Sequence, residues 1–210
     1  YGRNNISNGT RGVMAGGWPG NNDTIDFVTI ATLGNALDFG NLNENLGGGP
    51  PGVSSPTRGL FVGGYHPSPS PLVSRNTIQF VTIASTGNAQ DFGDLTTIRA
   101  HGGASGNSTR LLVSSGYTDP STQIKSIDKV TIATLGNTID FGDSSGRDMG
   151  AGMSSSTRGC AGGGYNNGTS TIANNIDYTE IMTTGDATDF GDLTQKRRHV
   201  QGASNGHGGL

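Results

Sequence analysis

The stretch Thr86-Gly87-Asn88-Ala89-Gln90-Asp91-Phe92-Gly93-Asp94-Leu95 decides the fold, because the chain repeats it. The fullest copy is Thr184-Gly185-Asp186-Ala187-Thr188-Asp189-Phe190-Gly191-Asp192-Leu193. Looser copies end in Asp38-Phe39-Gly40 and Asp140-Phe141-Gly142. The four phenylalanines stand 53, 49 and 49 residues apart. A second marker keeps the same rhythm: Thr-Arg, a short run, then a glycine or serine pair. It runs from Arg11 to Gly16-Gly17, Arg58 to Gly63-Gly64, Arg110 to Ser114-Ser115 and Arg158 to Gly162-Gly163. A period of roughly 50 residues marks an architecture in which each unit buries its apolar face against the next.

Working outward from Thr86–Leu95, the second copy reads as four short strands. A small-residue strand around Gly52–Ser55 leads into Thr57–Tyr65, the loop His66–Asn76 follows, and Thr77–Ala84 and Ala89–Leu95 complete the set. Thr77–Ala84 places Ile78 and Phe80 on one face and Val81 and Ile83 on the other, as a sheet covered on both sides requires. Ile25/Phe27 against Val28/Ile30, and Ile176/Tyr178 against Ile181, repeat the pattern. The Gly-Asn segments before the last strand are turn chemistry. The expectation is an all-β chain, four strands per copy and four copies, with no long helical periodicity.

Composition bounds the function. Of 210 residues, 37 are glycine and only 14% are charged, against about 25% in ordinary soluble domains. With 13 basic and 16 acidic residues the formal charge is -3, which speaks against a nucleic-acid partner, since that needs a basic stripe. Cys160 is the single cysteine, so neither an internal disulfide nor a thiolate zinc cluster can form. No apolar run approaches the ~18 residues of a membrane span, and no signal-peptide pattern stands at Tyr1, so no membrane insertion is expected.

The order of apolar strand, Gly-Gly, aromatic, variable loop, Ile-x-Phe-Val-Thr-Ile strand and aromatic strand resembles the kelch repeat, with Asp-Phe-Gly-Asp-Leu where kelch blades carry a tryptophan strand. The chain resembles still more the glycine-rich repeats of tail-fibre and other virion proteins of marine phages, cyanophages among them. Thr86–Leu95 and Thr184–Leu193 carry that likeness best. The third copy departs from it at Leu111, Ser114-Ser115 and Ser144. The resemblance implies a kelch-like β-propeller of four-stranded antiparallel blades, one repeat domain over 1–210, with blades near 1–46, 47–98, 99–146 and 147–197. Residues 198–210 would supply a terminal strand that closes the ring, because closure removes exposed sheet edges. It implies a virion or extracellular location and a non-enzymatic structural or adhesive role: tail fibre, receptor binding or capsid decoration. Partners would be other virion or fibre proteins and host surface glycans, in a multivalent assembly. A secreted sugar-binding propeller is the alternative.

Three sets of recurring residues are candidates for a site. Arg11, Arg58, Arg110 and Arg158, with Asp38, Asp91, Asp140 and Asp189, read as a structural ladder. Buried guanidinium groups would tie the aspartates or backbone carbonyls at blade junctions. Trp18, Tyr65, Tyr117 and Tyr165 follow the glycine or serine pair and would ring one mouth as a sugar-binding surface, or else plug the gaps between blades. The loops Trp18–Thr24, His66–Asn76, Thr118–Ser126 and Asn166–Asn175 differ in length on a repeated scaffold, which is where binding resides. His66, His101, His199 and His207 lack metal-ligand spacing. No cofactor is expected, Asn21-Asn22-Asp23 lacking a calcium-loop pattern. A copper oxidase is the enzymatic rival; Cys160, on an apolar strand, reads as buried instead. Asp-Phe-Gly stands here without the other kinase motifs and at repeat spacing, so no catalytic residue is assigned.

Overall fold

The computed structural model describes residues 4–17, 22–44, 52–66, 73–118, 122–148 and 150–204. Among them there is no helix. The first copy gives β1 (Asn4–Ser7), β2 (Arg11–Ala15), β3 (Thr24–Thr29) and β4 (Leu37–Asn41). The second gives β5 (Gly52–Ser54), β6 (Arg58–Val62), β7 (Tyr65–His66), β8 (Val73–Thr82) and β9 (Gln90–Arg99). From the third come β10 (Gly103–Gly106), β11 (Arg110–Ser114), β12 (Tyr117–Thr118), β13 (Thr122–Gln123), β14 (Ser126–Thr131) and β15 (Ile139–Asp143). The fourth supplies β16 (Ala151–Ser154), β17 (Arg158–Gly162), β18 (Tyr165–Asn166), β19 (Thr171–Ile172), β20 (Asn175–Glu180) and β21 (Thr188–Asp192).

Each copy folds into its own antiparallel sheet in chain order: β1-β2-β3-β4, β5-β6-β8-β9, β10-β11-β14-β15 and β16-β17-β20-β21. The short β7 extends the second sheet, while β12-β13 and β18-β19 are small hairpins in the loops of the third and fourth. Sequential antiparallel pairing of this kind needs only tight connections. The first sheet takes its first strand from its own copy. Asn4–Ser7 already pairs with β2 over its whole length, and Gln201–Ser204 is in no strand.

The Asp-Phe-Gly motif has a defined local meaning. In every sheet the register between the last two strands shifts at the same point, between Ile25/Asp26, Ile78/Gln79, Ile127/Asp128 and Ile176/Asp177. The residue left unpaired opposite each shift is the phenylalanine, a β-bulge that re-aims its side chain. Glycine follows at φ 144°, 143°, 150° and 138°, a conformation that penalises any Cβ. The bulged Phe39, Phe92 and Phe141 are buried against the following sheet. Phe39 joins Val81, Ile83 and Ala89, Phe92 joins Leu111, Val130 and Ile132, and Phe141 joins Ile181 and Ala187. Each buried ring contributes about 2–3 kcal/mol of transfer free energy.

The same bonds tie each sheet to the next at all three junctions. The Gly87, Gly136 and Gly185 amides donate to the Phe39, Phe92 and Phe141 carbonyls at 2.7, 2.8 and 2.9 Å. Ala89, Thr138 and Ala187 donate to Asn41, Asp94 and Asp143 at 2.8 Å each. In return the Asn41, Asp94 and Asp143 amides donate to the side-chain Oδ1 of Asn88, Asn137 and Asp186. Thr-Gly-Asn-Ala is therefore the half that plugs into the preceding sheet, and Asp-Phe-Gly-Asp is the socket for the following one. The motif that fixes the repeat encodes both sides of its own junction. First strands crowd along one side of the stack, where an open space of about 710 Å³ is lined by small residues such as Gly52, Ala104, Gly152 and Gly202.

Candidate functional site

The repeated arginines each open the second strand of a sheet, and three act across a junction. Arg11, Arg58 and Arg110 each donate from Nη1 to an isoleucine carbonyl of the next sheet: Ile83 at 3.0 Å, Ile132 at 2.8 Å and Ile181 at 3.1 Å. Their guanidinium groups are half-buried rather than sealed; Arg11 lies over the Phe27 ring and Arg58 over Phe80, at 4.7 and 4.5 Å. Arg158 is exposed and pairs with Glu180 of its own sheet at 2.7 Å. The expected pairing with aspartates gives way to carbonyls. Asp38, Asp91, Asp140 and Asp189 are exposed, and among the described residues none joins an ion pair. Their position beside the bulge turns them outward, away from the junction that the phenylalanine enters.

The buried ion pairs use other residues. Arg99, at the end of β9, crosses into the third sheet and donates from Nη2 to Asp128 Oδ1 at 2.9 Å, both side chains being nearly inaccessible. Arg147 reaches the fourth sheet and meets Asp177 at 2.6 Å. Burial drives the Arg99 pKa down while Asp128 opposes the fall. Asp128 also accepts Thr96 N, Thr96 Oγ1 and Thr138 Oγ1. A signal for these pairs exists in the sequence. Arg99, Arg147 and Arg197 occupy one repeat position, shown by the identical bonds that Gly64, Gly116 and Gly164 donate to their carbonyls. The connection 41–51, before the second sheet, contains no arginine, and there the receiving strand carries neutral Gln79 in place of aspartate.

The aromatics stand where each second strand turns into its loop. In the second copy Gly63 and Gly64, at φ 61° and 101°, make the corner that starts β7 at Tyr65. Tyr65 is buried and its ring centroid lies 5.5 Å from that of His101, while Tyr117 stacks on His101 at 5.4 Å and 11°. His101, at φ 54°, belongs to the connection between the second and third sheets, so it sits between two tyrosines of successive copies. Burial, with like charge from His199 adding, lowers its pKa to about 4. Tyr165 is half-buried with the Arg198 guanidinium 5.1 Å from its ring centroid. The Tyr117 and Tyr165 backbones bridge to Ala100 and Asp148, which places the loops on the side where the sheets connect. Trp18 and His207 lie outside the described residues, as do parts of the first three variable loops and Asn21.

Two of the four aromatics thus share one histidine, Tyr117 stacked on it and Tyr65 tilted at 41°. Cys160 is half-buried, and burial raises its thiol pKa. Among the described residues no three His, Cys, Asp or Glu side chains gather as metal ligands would. No protein-family model matches the chain, and no curated protein matches its sequence.

Proposed function

We propose that this chain is a non-enzymatic scaffold, a kelch-like β-propeller module of four blades that carries variable loops in a virion-associated assembly. The observation that carries the reading is the threefold repetition of one junction. Residues that recur with the period are spent on holding sheets together: phenylalanine in the socket and arginine on the next carbonyl. What varies between copies is the set of loops beside the connections, and variation on a rigid frame is where partner recognition resides. The open space along the first strands supports blades set about an axis. The likeness of Thr86–Leu95 to repeats of phage tail-fibre and virion proteins supplies the setting.

A sugar platform made of the tyrosines fits the geometry less well. Stacking needs an open ring face, whereas Tyr65 is buried and Tyr117 and Tyr165 are covered on one side by His101 and Arg198. Adhesion, where it occurs, belongs to the loops. The test is immunogold electron microscopy of purified particles from the source sample, with antibody raised against this chain. Labelling at the tail or capsid surface is expected. Unlabelled particles, with the chain recovered only in the particle-free fraction, would overturn the reading.

A further inference from the structure

In three of the four sheets the repeated arginine rests on an aromatic shelf. The guanidinium carbon of Arg11 lies 4.7 Å from the Phe27 ring centroid, that of Arg58 4.5 Å from Phe80 and that of Arg158 4.6 Å from Tyr178. Each shelf ring in turn meets the bulged phenylalanine of its own sheet, Phe39, Phe92 or Phe190, edge-on at 5.8, 6.0 and 6.1 Å. The third sheet breaks this stack. The register that sets Phe27 opposite Val13, Phe80 opposite Leu60 and Tyr178 opposite Cys160 sets Lys129 opposite Leu112. The Lys129 ammonium lies 5.4 Å from the Phe141 ring centroid, and among the described residues no ring lies under Arg110.

The missing ring leaves room. A cleft of about 300 Å³ opens there, with Arg110, Lys129, Leu135, Gly136, Asn137 and Ile139 among its lining. That lining carries two cations and no carboxylate. Arg158 pairs with Glu180 across from it, but the residue across from Arg110 is Thr131. Among the described residues neither Arg110 nor Lys129 joins an ion pair. The Ile181 and Met182 carbonyls accept from Arg110 Nη1 at 3.1 and 3.0 Å, which fixes the guanidinium without neutralising it. Leu135 and Ile139 stand 61% and 59% exposed at the rim, where the second sheet has Thr86 and Gln90 and the fourth has Thr184 and Thr188.

We propose that this cleft recognises a segment of a partner protein that presents an aromatic side chain beside a carboxylate. The ring enters beneath Arg110 as Phe80 lies beneath Arg58, a cation–π contact that the chain makes for itself in the other three sheets. Lys129, on its flexible four-carbon stem, turns its ammonium from Phe141 to the carboxylate. Each part of the occupant answers an observation. A ring is called for because a ring fills this place in every other copy. An anion is called for because both cations lack a carboxylate partner. A segment rather than a lone ring is called for because Leu135 and Ile139 offer apolar surface beyond the cleft itself. The site stands by the turn 132–138 between β14 and β15, at the opposite end of β14 from the variable loop 118–126. It therefore goes beyond recognition by the loops and does not depend on the virion setting.

The experiment titrates the isotope-labelled full chain with the blocked peptide Gly-Glu-Phe-Glu-Gly and follows backbone amide signals by NMR. The Gly136, Asn137 and Ile139 amides should shift and half-saturate near ~1 mM, the range open to one ring and one ion pair. Two control peptides, Gly-Gln-Phe-Gln-Gly and Gly-Glu-Leu-Glu-Gly, should each bind about threefold more weakly or worse. Lys129→Phe gives the third sheet the shelf that the other three possess, so it should melt no lower than the parent and lose the peptide-induced shifts. Lys129→Gln keeps the space without the charge, and should fold and bind about threefold more weakly. A parent chain whose Gly136 and Asn137 signals do not move would overturn the proposal. So would control peptides that bind as well as the first, or a Lys129→Phe or Lys129→Gln chain that binds like the parent.

Discussion

Replacing Asp128 by asparagine removes one charge and almost no volume from the most enclosed ion pair in the molecule. Asp128 accepts from Arg99 Nη2 at 2.9 Å, from Thr96 N and Oγ1 at 2.8 Å each, and from Thr138 Oγ1 at 3.0 Å. Arg99 Nη1 donates to the carbonyls of Ser126, Ser115 and Val113, which hold the guanidinium in place without neutralising it. Its Nε already lacks a partner, and its pKa is already pressed downward by burial. Asp128→Asn strands that charge and turns an amide donor toward groups that are themselves donors. The cost should be about 3–5 kcal/mol, which for a chain of this size lowers Tm by roughly 10 °C. The assay is a thermal and urea cycle of Asp128→Asn, Arg99→Met and the double variant. Because Arg99→Met removes the charge that Asp128→Asn strands, the double variant should be less damaged than the two costs added, with a coupling of about 2 kcal/mol. Additive costs, or a single variant that melts within about 2 °C of the parent, would refute the reasoning.

Other contrasts exploit repeat positions that differ only in whether a neighbour is present. Arg58→Ala loses a bond to Ile132 and a contact with Phe80 and should cost about 1–2 kcal/mol in urea, while Arg158→Ala in dilute solution should melt like the parent. Gly142→Ala and Gly191→Ala impose similar backbone strain, at φ 150° and 138°. Only the former meets a carbonyl, so by urea midpoint it should be worse by about 1–3 kcal/mol. His101 predicts a pH effect. With its folded value at about 4 against 6.5, the unfolded chain takes the proton first as pH falls. Its contribution to stability is full above pH 6.5, declines from there to about 4 and then levels, a loss of roughly 3 kcal/mol. His101→Asn, which tolerates positive φ, should remove that slope; an unchanged difference between pH 7 and pH 4.5 would contradict the assignment.

The sheets were legible because the repeat wrote them four times. Ile78, Phe80, Val81 and Ile83 declared a strand covered on both faces, and all four are buried. The boundaries were less so. The reading placed strands at Thr77–Ala84 and Ala89–Leu95, whereas β8 and β9 run Val73–Thr82 and Gln90–Arg99. Arg75 pairs across from Arg99 there, and Arg99 is fixed by the next sheet, so the extra length is a tertiary effect. The same reason hid the buried ion pairs: Asp128 and Arg99 belong to different copies, and recurrence alone drew attention to Asp38 and its sisters, which face water. The aromatics recurred for all to see, but which residue covers Tyr65 and Tyr117 depends on His101, whose position is set by the connection between sheets.

The central claim is that one junction, built on the Asp-Phe-Gly bulge, is used three times inside the chain. Fluorine NMR of the chain with its seven phenylalanines replaced by 4-fluorophenylalanine tests it directly. Substitution of Phe39, Phe92, Phe141 and Phe190 by leucine, one at a time, assigns the four socket signals. The account predicts buried signals from Phe39, Phe92 and Phe141 and a solvent-exposed signal from Phe190 as the internal reference. Signals from Phe39, Phe92 or Phe141 that respond to solvent as the Phe190 signal does would contradict it.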